Sequence, residues 1–190
     1  MKDKFMDYKP TQEWLTIDKD NSMRIKCEKI NFPLNKIDID NINKMIAYVD
    51  ESYKGNAKKF NIRPGIGIAA NQIGYKKRMF YIHLNDENHI EHKYFLINPE
   101  IVSLSAAKAY LSHGEGCLSV PKDKKGFVIR NSKIKIKGFD YFQQKEIIIE
   151  AKGLLSMCLQ HEYDHLEGKL YYDRINPINP EYANNEWEKI

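Results

Sequence analysis

The sequence predicts an α+β fold, antiparallel sheets packed around one central helix, and three observations carry that expectation. Several stretches between residues 78 and 151 read as strands, and Ile134 and Ile136 alternate with lysines at the period of a half-buried one. Residues 152–167 repeat instead at helical spacing and are apolar over much of their circumference. Strands therefore flank a buried helix in one chain of 190 residues, enough for one domain spanning 1–190, with no repeat and no low-complexity linker.

Taken in order, Asp38 is placed to cap a helix whose Ile39, Ile42, Met45, Ile46, Val49 and Tyr53 form a core-facing stripe. Residues 78–84, 94–104, 127–130, 133–140 and 146–151 then read as strands; Ile134 and Ile136 alternate with lysines as an antiparallel strand with one wet face requires. The helix over 152–167 ends at Gly168, a residue suited to a left-handed stop. The tail after Pro177 has no long amphipathic pattern and is expected to add a strand or lie on the surface.

The central helix carries His161-Glu162-Tyr163-Asp164-His165. Two imidazoles four residues apart project from one helical face and can grip one cation, with Glu162 beside it. At about 100° per residue Leu154, Met157 and Cys158 continue that face upstream as an apolar wall. A catalytic metal needs a third protein ligand and an open position. Cys117, in Glu115-Gly116-Cys117-Leu118-Ser119, is the better candidate, with Gly116 allowing close backbone approach; a downstream carboxylate, Glu181 or Glu186, is the alternative. Residues 65–74 are rich in glycine and small apolar residues but lack the Gly-Lys-Ser/Thr ending of a phosphate loop. They mark a place where backbone passes close to something, with the Gln72 amide available as a donor.

Together, Gly65-to-Gln72, Glu115-to-Ser119 and His161-to-His165 resemble the three motifs of the peptide deformylase family, present in the same order. Asn71 stands where that family often has proline, and Arg63-Pro64 resembles the longer type of Gram-positive bacteria and their wall-less relatives. The resemblance implies removal of the formyl group from N-terminal formyl-methionine of nascent polypeptides, releasing formate. It implies that Cys117, His161 and His165 hold a divalent metal with water in the fourth position, and that Glu162 moves the proton. It further implies Gln72 and the Leu118 N–H as oxyanion donors, Leu154, Met157 and Cys158 as the methionine slot, and Ile66, Gly67 and Gly116 as contacts to the extended substrate. One thiolate and two imidazoles suit Zn²⁺, Fe²⁺, Co²⁺ and Ni²⁺ alike; the resemblance implies Fe²⁺ natively, with Ni²⁺ or Co²⁺ as active substitutes and Zn²⁺ a poorer one. Arg130 is a candidate anchor for Glu115 and Asp164 of the kind surface ion pairs provide, and Lys124 or Lys125 a candidate contact beyond the first substrate residue.

Two rival readings remain at this point: a zincin-type endopeptidase using Glu181 or Glu186, and a non-catalytic chain keeping a metal for stability. Composition narrows the surroundings. A net charge of +4 allows transient contact with the ribosome, yet no RNA-binding motif is present. Three scattered cysteines fit a reducing cytoplasm. Residues 1–7 hold early acids and no apolar leader segment, and no run approaches membrane-spanning length.

Overall fold

Strand β2 (Met79–Asn85) organises the molecule because both of its faces are buried. Such a strand reads as a continuous apolar run, here Met-Phe-Tyr-Ile-His-Leu, since alternate residues enter different cores. Phe80, Ile82 and Leu84 pack on one side with Leu155, Leu159 and Cys158; Met79 and Tyr81 pack on the other with Ile42, Met45 and Val49. The structure is a computed structural model describing residues 8–190, so the reading of residues 1–7 lies outside the described residues.

A five-stranded antiparallel sheet runs in the order β1 (Gly67–Ala69), β2, β3 (Glu91–Leu104), β6 (Lys133–Asp140), β7 (Lys145–Lys152). Helix α3 (Gly153–Leu166) covers one face and α1 (Lys36–Tyr53) the other, with the short α2 (Ala57–Phe60) after it. A second sheet, β5 (Arg130–Asn131), β4 (Lys108–Tyr110), β8 (Glu188–Lys189), lies beyond α3, which it meets where Asn131 N donates to Gln160 Oε1 at 3.0 Å. The architecture is α+β, but one pair is not antiparallel: β8, from the tail, runs parallel to β4. Among the described residues no helix is long and apolar enough to cross a membrane.

Strand β6 occupies Lys133–Asp140, with Ile134 and Ile136 buried and the lysines turned outward, matching the expected alternation. Helix α3 occupies nearly the expected span. It stops where Gly168 adopts φ 70°, at a point where any Cβ would strike the Arg24 carbonyl. Three expectations need correction. Asp38 does not cap α1: Asn35 does, accepting from Ile37 N and Asp38 N, while Asp38 sits three residues in and returns the bond to Asn35 N, closing a capping box. In the stripe of α1, Ile39 is 39% exposed, and Tyr53 leaves the core to stack on His83. The strand expected over 127–130 is confined to Arg130–Asn131, because Phe127 N is drawn to Pro180 O by the tail.

Candidate active site

The three motif segments meet in a cleft of about 590 Å³ between β1, the loop before β5 and α3. Cys117, His161 and His165 converge there, their ligand atoms all within 4.8 Å of one another. Nε2 of His165 lies 3.2 Å from Nε2 of His161 and 3.3 Å from Cys117 Sγ. A tetrahedral ion bonded at about 2.0–2.3 Å needs donor separations of about 3.3–3.6 Å; both His165 separations lie close to that range and all three ligand atoms fall within 4.8 Å of one another, so this donor set suits a divalent metal. Glu181 and Glu186 are exposed, and neither belongs to this group.

His161 is oriented from behind. Its Nδ1 meets Glu115 Oε2 at 2.8 Å, which turns Nε2 toward the other ligands. Glu115 is in turn held by Arg130, whose Nε and Nη2 donate to its two oxygens at 2.6 and 2.8 Å, while Nη1 donates to Asp164 Oδ2 at 2.8 Å. The anchoring by Arg130 is present but is not a surface pair, because the Arg130 side chain is 0% exposed. Burial alone would raise Glu115, yet the Arg130 charge and hydrogen bonds outweigh it and bring the carboxyl down to about 2. Arg130 is itself held above its ordinary value by Glu115 and Asp164, against its burial. Arg174, which the sequence reading missed, closes the network by donating to both Asp164 oxygens at 2.6 Å. No periodicity marks it; only contact does. For His165 burial dominates, pushing its imidazole well below the ordinary value toward the neutral form a ligand requires.

Glu162 is buried, its Oε2 has no hydrogen-bond partner among the described residues, and burial pushes its carboxyl up to about 7. The backbone that passes close to something is Gly67, and the something is this carboxyl: a Cβ at Gly67 would come 2.5 Å from Glu162 Oε1. The glycine-rich segment thus makes room for an acid. Beyond Gly67 the chain completes β1 and tightens into a 3-10 turn, Ala70–Ile73, which points Gln72 inward. Gln72 Oε1 accepts from Ala69 N at 2.8 Å, fixing the amide so that Nε2 faces Ser119 Oγ at 3.2 Å and Cys117 Sγ at 3.5 Å. Asn71, in the same turn, donates from Nδ2 to the His165 carbonyl at 2.8 Å and ties the turn to α3.

The remaining candidates also line the cleft: Ile66, Gly67, Gly116, Leu118, Leu154, Met157 and Cys158. Burial raises the Cys158 thiol well above its ordinary value, as an apolar wall should. Among the described residues β1 is an edge strand paired on one side only, and Gly65, Ile66 and Gly67 at its start line the cleft. Lys124 and Lys125 are exposed and do not line it. Arg63 does, bridging to Val120 O at 2.7 Å and Asp123 Oδ1 at 2.6 Å.

Two imidazoles and a thiol gathered on one point, with an unpartnered carboxyl group against them, suit a cleft to metal-assisted hydrolysis, and the class of the protein is that of the metallohydrolases. Residues 12–181 match the family described as polypeptide deformylase, and the chain belongs to that family. Its members remove the formyl group from the N-terminal methionine of nascent peptides. A peptide deformylase of Mycoplasma pneumoniae is 57% identical over 97% of this chain and 85% of its own. Peptide deformylase 2 of Geobacillus stearothermophilus is 41% identical, covering 84% and 86%. Among solved structures, peptide deformylase from Ehrlichia chaffeensis superposes with a TM-score of 0.70 at 27% identity, covering 86% of this chain and 88% of that one.

Proposed function

We propose that the whole chain is one catalytic unit in which this cleft deformylates formyl-methionyl peptides, with the residue roles as follows. Cys117, His161 and His165 hold the metal. A divalent ion there would lower the pKa of a coordinated water and polarise the formyl carbonyl. Glu162 accepts the proton of the attacking water and delivers it to the amine nitrogen as the formyl C–N bond breaks, so formate and a free N-terminus leave together. A carboxyl near 7 can do both near neutral pH, and the metal's charge would draw it lower. The Gln72 Nε2 and the Leu118 N–H stabilise the negative charge on the former formyl oxygen. Leu118 can hold its amide still because its side chain is packed in the core against Gly65. The Leu154, Met157 and Cys158 wall takes the methionine side chain. The free edge at Ile66 and Gly67, faced by Gly116, pairs with the peptide backbone and so tolerates varied sequences after methionine.

The observation that carries this reading is the convergence of three ligand atoms beside an unpartnered, buried Glu162 at the wall of an open cleft. Formyl-Met-Ala should yield stoichiometric formate and free amine, and acetyl-Met-Ala should be turned over far more slowly. Cleavage of unformylated internal peptide bonds instead would favour an endopeptidase. For the native metal we infer Fe²⁺. Iron with a thiolate ligand is open to oxidation, and Cys117 with it. Protein loaded with Fe²⁺ should lose activity in air and keep it under anaerobic handling, while the Ni²⁺ form survives both; equal air-stability of the two forms would count against iron. We infer that the enzyme works in the cytoplasm, in transient contact with the ribosome from which its substrate emerges.

A further inference from the structure

Residues 12–18 touch each length of chain that carries a proposed oxyanion donor, without entering the cleft. Gln12 Oε1 accepts from Arg63 N at 2.8 Å, at the start of the segment leading into β1. Thr16 N donates to the Gln72 carbonyl at 2.7 Å, and Asp18 N donates to the Ser119 carbonyl at 2.7 Å. Thr16 and Asp18 thus hold one backbone carbonyl each across two segments, Asp18 from the turn that Asp20 N closes on the Ile17 carbonyl at 3.0 Å, and Ile17 between them is 43% exposed. Gln72 carries one donor in its side chain, and Ser119 directly follows the Leu118 amide. The two segments also meet internally, where Gln72 Nε2 reaches Ser119 Oγ at 3.2 Å.

We propose that residues 16–18 are a positioning strap that sets the separation of the Gln72 amide and the Leu118 N–H by gripping the backbone beside each. The strap rests on the reading that these two groups stabilise the oxyanion. Its reach is limited by the two peptide units between the donors and held by the turn bond from Asp20 N to the Ile17 carbonyl. The 3-10 turn bearing Gln72 and the loop bearing Leu118 are joined to different strands, and the strap gives their separation a fixed gauge. It touches none of the proposed metal ligands, so its effect belongs in turnover rather than in metal affinity.

The test edits the two amides. Thr16→Pro and Asp18→Pro remove the N–H groups; because proline also restricts φ, the same amides are replaced separately by backbone esters, with an ester at Ile17 as control. In the Ni²⁺-loaded protein, each edit at 16 or 18 should lower kcat on formyl-Met-Ala by about 10-fold, since displacing a fixed donor forfeits part of the 10²–10³ that losing it costs. KM should change by less than about 3-fold, metal content should stay near one per chain, and the Ile17 ester should behave as the unedited protein, since only the amides of Thr16 and Asp18 control the geometry. In a Gln72→Leu background the Thr16 ester should add little, because it acts through Gln72. Unchanged kcat, loss of metal in step with activity, or an undiminished effect in the Gln72→Leu background would overturn the strap. Normal turnover by Gln72→Leu itself would instead overturn the oxyanion assignment beneath it.

Discussion

Two carboxyl groups flank His161 with opposite fates, and the difference is a matter of neighbours. Glu115 has the Arg130 fork and is held to about 2; Glu162 is next to a candidate ligand in sequence but has an unpartnered oxygen and sits at about 7. The first suits a permanent anion that orients an imidazole, the second a group that gains and loses a proton. Glu162→Gln should therefore bind close to one metal per chain while losing at least about 10³ in kcat, because the amide cannot carry a proton. Metal analysis beside formate release checks it, and substantial residual turnover would mean another group moves the proton. Gly67→Ala makes the complementary prediction. Its Cβ would press on Glu162 and on Ile82, so the carboxyl must shift, and kcat should fall about 10-fold or more from a methyl group outside the ligand set. Unchanged kinetics would show that the acid has freedom the packing does not give it.

At the scale of elements, α1 is fastened to β2 by more than apolar contact. Asp50 on α1 accepts from Tyr81, faces His83 Nδ1 at 2.7 Å and accepts from Lys93 Nζ at 3.1 Å; His83 Nε2 meets Glu91 at 2.7 Å. Burial raises Asp50, but those hydrogen bonds outweigh it and hold the carboxyl below its ordinary value of 3.8. A depressed carboxyl stabilises the fold in full above that value and loses its contribution as pH falls through the lowered one. Asp50→Asn should cost about 2 kcal/mol at neutral pH and flatten the decline in stability below about pH 4, as read by denaturant unfolding at stepped pH. A variant that lost stability in parallel with the parent down to pH 2 would contradict this. Little of this fastening could be read from the sequence. Periodicity reveals which way an element faces, so α3 and β6 were legible almost to the residue, and Leu154, Met157 and Cys158 fell on the cleft side. It says nothing of strands as short as β1, β4 and β8, which exist because a neighbour supplies their hydrogen bonds. Nor does it expose a buried Arg130, since a charged residue reads as surface until its two carboxylate partners gather around it.

For the whole molecule, the candidate metal centre joins residues that pack in separate apolar clusters. His161 and His165 belong to α3 and its core, whereas Cys117 packs in a separate small cluster with Val120, Val128 and Tyr171. The sequence displayed the ligands but not this division, because membership of a cluster depends on chain separation in space. An ion gripping both clusters binds the folded chain and not the unfolded one, and at a free concentration a thousandfold above its Kd it adds about 4 kcal/mol. In a chain of this length that corresponds to roughly 10 °C in unfolding midpoint. Stripping the metal with a chelator should lower the midpoint by about that much, reversibly on adding Ni²⁺. Glu162→Gln should show the same drop, since its carboxyl is not a ligand, while Cys117→Ser should start low and respond little to the chelator. An equal chelator response in Cys117→Ser and the parent would place the third ligand elsewhere. No response in any of them would mean that Arg130, bonding Glu115 and Asp164 across the same junction, already holds the two parts together without the ion.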